Sequence, residues 1–142
     1  MVEALVIQPD GIVRDLTLAD DPGKWRTGVS EAVGGFPEAA RYHRGALLYV
    51  NGDGAEQPNL AAWALASAWR GLDLPYALRG SVVVTGPGEG IALPPELADQ
   101  VRAAAESVAR IRAEWQFRPP VLAPAGMQEL LAEVRFHVPA GV

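Results

Sequence analysis

Apolar residues recur along this chain with two periods, and each change of period marks a new element. Residues 3–8, "EALVIQ", and 11–18, "GIVRDLTL", are short apolar runs joined by Pro9-Asp10-Gly11. In the second run Val13, Asp15 and Thr17 alternate with Ile12, Arg14, Leu16 and Leu18. Two strands with a short Gly-containing connection predict a β-hairpin. The period then lengthens. Trp25, Val29, Ala32 and Val33 line one side of a helix over 21–33, with Asp20 or Asp21 as N-cap, Pro22 at the first position and Gly34-Gly35 at the end. "FPEAARYH", 36–43, reads as an extended strand, and "GALLYVNG", 45–52, as the clearest strand of the chain.

The second half repeats these signals. "NLAAWALASAWRG", 59–71, opens on Asn59, a natural cap, closes on Gly71 and is apolar or small nearly throughout. A helix apolar on most sides is buried or faces a partner. "GSVVVTG", 80–86, is a third apolar strand. It is followed by a glycine-rich loop with room for an edge strand at 90–93. Over 95–115 Leu97, Val101, Ala104, Val108, Ile111 and Trp115 form a seam spaced four, three, four, three and four. Glu96, Asp99, Arg102, Glu106 and Arg110 take the other side of that helix. "FRPPVLAPAG", 117–126, is a proline-rich linker. Beyond it Met127, Leu130, Leu131 and Val134 make a short helical stripe, and "VRFHV" reads as a final strand.

These elements predict an α+β domain over 1–116. Its mainly antiparallel sheet has four or five strands, and about three helices cover one face or close one end. Residues 117–142 are an appendage, packing on the domain or on a second subunit. The chain has 142 residues, enough for one domain with a core that needs no staples.

Composition removes several chemistries. Without cysteine there is no disulfide, thiolate nucleophile or Cys-based zinc site. The formal net charge of -5 argues against a nucleic-acid backbone as partner. The N-terminal stretch lacks the pattern of a signal peptide, and no apolar run is long enough to span a bilayer, so a cytoplasmic location with no membrane partner is expected. His43 and His137 lie far apart without zinc-site spacing, and no metal or cofactor is expected. Ser30, Ser67, Ser81 and Ser107 lie outside any nucleophile motif, which leaves no catalytic constellation and points to a non-enzyme.

The densest polar stretch is "YVNGDGAEQPN", 49–59. It fails as a calcium loop, because Ala55 and Glu56 stand where a ligand and a glycine are required. Asn51-Gly52 and Asp53-Gly54 are favoured turn pairs, so the stretch reads as a strand exit leading to the Asn59 cap. Gly34, Gly35, Asn51, Gly52, Asp53, Gly54 and Asn59 form the candidate ligand or turn site. If the turns at 34–35, 51–54 and 86–90 meet at one end of the sheet, their N–H groups form an anion nest. A small-ligand or nucleotide-binding protein is therefore one reading. Trp63, Trp69, Met127, Leu130 and Leu131 are the candidate interface, with core packing as the alternative for both tryptophans.

Val33 to Glu38, Val50 to Gly54, Pro58 with Asn59, and Gly80 to Gly86 occur in an order and spacing that resembles the family catalogued as domain of unknown function 3846, over about 1–95. Its members are small proteins of phages and other bacterial mobile elements. "NGDG" stands here where two acidic residues and a glycine are usual, and Ala55 where a basic residue often follows. The resemblance implies a context and no catalytic residues. With it, the leading expectation is a non-enzymatic binding or regulatory protein. Its partner would be a host or mobile-element protein, with homodimerisation through the tail as a further possibility.

Overall fold

The computed structural model describes residues 1–141. Strands β1 (Val2–Ile7) and β2 (Val13–Leu18) form the first hairpin. Its turn holds Gly11 at φ 90°, with Gly11 N–H donating to the Gln8 carbonyl and Gln8 N–H to the Ile12 carbonyl. This is the three-residue connection that a glycine at its last position permits. Helix α1 (Pro22–Val33) follows, with the Asp21 carboxylate accepting from Lys24 N–H and Gly34 closing it in the left-handed conformation. Strands β3 (Pro37–His43) and β4 (Ala46–Asn51) make a second hairpin. Then come α2 (Leu60–Arg70), β5 (Val82–Thr85), α3 (Pro95–Glu114) and α4 (Ala123–His137).

The α+β class and the antiparallel five-stranded sheet are as expected. The strand order is β2-β1-β5-β4-β3, so β5 is central, with one hairpin on each side and β2 and β3 at the edges.

The helices do not share one face. Leu5, Ile7, Leu48, Val82 and Val84 face α2, α3 and α4 in the larger core. Val2, Ala4, Val6, Leu18 and Val83 face the other way, onto Trp25, Val29 and Val33 of α1. Successive residues of a strand point to opposite faces, so a strand covered on both reads as a continuous apolar run. β5 is such a strand, and so is β1 from Ala4 to Ile7.

Two expected strands do not form. Residues 90–93 are irregular, held by bonds such as Leu93 N–H to the Glu3 carbonyl. Pro94 and Pro95 follow at once and cannot donate to a ladder. "VRFHV" belongs largely to α4, because Val134 continues the stripe of Leu130 and Leu131, and all three are fully buried. α4 packs on the domain, against both α2 and α3, and completes the main core. Glu129 also accepts from the Trp115 indole at 2.8 Å and from Arg118. These donors hold its carboxyl below the usual range, Arg118 contributing most.

Candidate functional site

Two of the three glycine turns meet. Gly34 and Gly35 N–H both donate to the Ser30 carbonyl, while the Ser30 hydroxyl donates to the Gly35 carbonyl. Phe36 N–H donates to Asp53 Oδ2, Gly52 N–H to the Phe36 carbonyl, and Asp53 N–H to Asn51 Oδ1. Gly54 N–H returns to the Asn51 carbonyl. Each of these donors already has an acceptor inside the protein, so the turns form a latch between α1 and β4 and no anion nest. The third turn, 86–90, makes none of the latch hydrogen bonds, but its Glu89 accepts from Arg26 of α1 across a groove of about 490 Å³ that Ser30 and Phe36 also line.

Asn59 is structural in the same sense. It is 1% exposed. Its Oδ1 caps Ala62 N–H, and its Nδ2 donates to the carbonyls of Ile7 and Gly80. Trp63 and Trp69 are buried, with indole N–H groups donating to the Leu74 carbonyl and to Gln100. Leu130 and Leu131 are buried, Met127 half-buried, and all three pack in the same core. The His43 ring stands edge-on to Trp69 and accepts from Gly45 N–H through Nδ1. Burial lowers the His43 pKa, and the neighbouring Arg44 charge adds to the shift.

An open backbone edge lies at the first hairpin. Gln8 N–H bonds the Ile12 carbonyl, and β1 and β2 stay in register from there to Val2 and Leu18. In an antiparallel ladder residues alternate between bonding inward and outward. The backbone groups of Arg14, Leu16 and Leu18 therefore bond β1, and those of Val13, Asp15 and Thr17 face outward. Among the described residues nothing bonds these outward groups.

Opposite this edge, α3 forms the wall of a groove. One part, about 340 Å³, is lined by Glu3, Leu5, Asp15 and Thr17 of the hairpin, by Leu93, and by Pro95, Ala98, Asp99 and Arg102. A second part, about 240 Å³, is lined by Gly11, Val13, Ala105, Glu106 and Ala109. Arg102 lines both parts and donates to Asp15 Oδ1 at 2.7 Å. With that guanidinium already paired, Glu3, Asp99 and Glu106 leave the groove negative. The α3 residues recur every three or four positions, which places them on one side of the helix. Three of them are alanines, which keeps the wall shallow.

Edge β3 differs. Gly52 N–H bonding to the Phe36 carbonyl turns Pro37 and Ala39 outward, and Pro37 has no N–H. A bulge falls between Ala40 and His43, and the Arg41 carbonyl accepts from Arg70 at 3.2 Å. Proline, a bulge and charge are the usual means of blunting an edge.

No family model matches the chain, and no curated protein or solved structure matches it. No helix among the described residues is long and apolar enough to cross a membrane. The groove was not visible in the sequence, where Asp99, Arg102 and Glu106 read as the solvated side of α3. Its one local signal was the polar alternation of Asp15 and Thr17 in β2.

Proposed function

We propose that this chain is a non-enzymatic binding module of bacterial mobile-element type that docks a partner protein in the groove between β2 and α3. The observation that carries the reading is a regular edge strand with unpaired backbone groups beside an open, acidic groove. Exposed edges are recurrent docking sites for other chains. The family-like segments lie on the scaffold: the latch, the Asn59 cap and the central strand. They support the mobile-element context and leave the groove as this chain's own feature.

A photo-crosslinking side chain placed at Asp99 or Glu106, in the full chain and in lysate of the cell that carries the gene, tests the reading. The expected result is one discrete adduct that mass spectrometry maps to one segment of one partner. The same residue at Lys24, an exposed position on α1 away from any groove, should give none. Indistinguishable adducts from both surfaces, or none from the groove, would overturn it.

A further inference from the structure

We infer that β2 accepts an extended segment bearing lysine or arginine from a partner protein as a sixth strand, its alternate side chains entering the groove against α3. This rests on the docking reading above and names the kind of segment that docks.

The backbone dictates the shape of the occupant. Outward N–H and C=O pairs recur at every second residue, Val13, Asp15 and Thr17, as the hairpin register requires. Only another extended chain presents acceptors and donors at that repeat, because a helix satisfies its own backbone. The side chains of the same three residues lie on the α3 side of the sheet. A residue paired opposite them therefore sends its own side chain to that side, and its neighbours point away. Backbone pairing thus supplies binding, and alternate side chains supply selectivity.

The groove dictates the chemistry. Its surplus of carboxylates calls for a cation. Leu93, Pro95 and Ala98 offer apolar surface for the aliphatic stem of lysine or arginine, with Asp99 within the same groove for the head.

A second copy of this chain fits poorly. Antiparallel pairing of two β2 strands about their common centre sets Asp15 directly against Asp15 and brings two acidic grooves together. Like charges directly opposite are destabilising.

The test uses the full chain at physiological salt and a fluorescein-labelled peptide of alternating lysine and valine, with a glutamate–valine peptide as the comparison. Anisotropy should show binding at least about tenfold tighter for the lysine peptide. Hydrogen exchange should be fast at the Val13, Asp15 and Thr17 amides of the free chain, and should slow at all three when the peptide binds. Thr17→Pro removes one outward N–H without touching the β1 ladder and should weaken binding at least about tenfold, while Thr17→Ala stays within about twofold. The double variant Asp99→Lys/Glu106→Lys changes only exposed positions and should reverse the peptide preference. No binding, equal binding of the two peptides, or binding that leaves the three amides unprotected would overturn strand addition. So would amides already protected in a peptide-free dimer. If groove cross-links persist while the amides stay unprotected, docking stands and strand addition fails. If the cross-links fail as well, both readings fail.

Discussion

The two hairpins flank β5 symmetrically, yet their outer strands are finished in opposite ways. The β3–β4 hairpin is sealed. Pro37 removes a donor, Arg70 covers the Arg41 carbonyl, a bulge breaks the regular edge, and the Asn51–Asp53 latch ties its open end to α1. The β1–β2 hairpin has none of these devices on its outer strand and keeps three outward residues in regular register. Its anchor is on the inner strand, where buried Asn59 bonds the Ile7 carbonyl. The difference shows that the fold can protect an edge and does so on one side only. The charges of Arg14 and Asp15 on the open edge disfavour indiscriminate pairing while leaving its backbone accessible.

Changing the anchor should have the largest effect. Asn59→Ala removes the α2 cap and leaves the Ile7 and Gly80 carbonyls without that donor, at a cost of about 3 kcal/mol. Urea unfolding with an unchanged m-value should register it. An effect no larger than that of a surface substitution would remove the contrast between the two anchors. On the sealed side, Gly35→Ala places a Cβ 2.9 Å from Asn51 Cγ, so the amide must move and release Asp53 N–H. A loss of about 1–2 kcal/mol is expected in the same experiment.

Acid should probe the far end of the sealed hairpin. His43 is held neutral by burial, with a folded pKa below its unfolded value near ~6.5. Its contribution to stability is complete above that unfolded value. It is lost as pH falls toward the folded value, because the unfolded chain takes up the proton first. The urea midpoint should drop across that window, and His43→Gln should flatten the drop. The smallest effect belongs to the open hairpin. Asp15→Asn breaks an ion pair whose side chains are 88% and 43% exposed, and stability should change by less than about 0.5 kcal/mol. A larger loss would mean that β2 depends on α3 and is not a free edge.

Much of the fold was legible because its signals are local. The "PDG" turn, the Asp21 and Asn59 caps, the closing glycines and the seam of α3 each depend on residues a few positions apart. The side of the sheet taken by α1 was not legible from its own stripe, since Trp25, Val29 and Val33 fit either face. The information lay in β5 and in Ala4 to Ile7 of β1, whose uninterrupted apolar runs require cover on both sides. The Asn51–Gly54 turn could be recognised, but Asp53 caps Phe36 across 17 positions, and turn chemistry cannot foresee that partner. The groove was the least legible feature. It exists because the strand order leaves β2 unpaired beside α3, and strand order is a property of the whole topology. Trp63 and Trp69 left core and interface open in the sequence, because a helix buried all round and one covered by a partner share a composition. Packing of α3 and α4 against α2 places both in the core.

The burial of α2 has a consequence for synthesis of the chain. Ala61 to Trp69 are buried without interruption, partly under α4, which lies more than fifty residues further along. As the nascent chain emerges, α2 and the sheet meet early, while the flank that α4 will cover stays bare until residues 123–137 follow. A chain that stops before residue 123 therefore has an apolar flank in place of a finished surface, a substrate for chaperones and proteases.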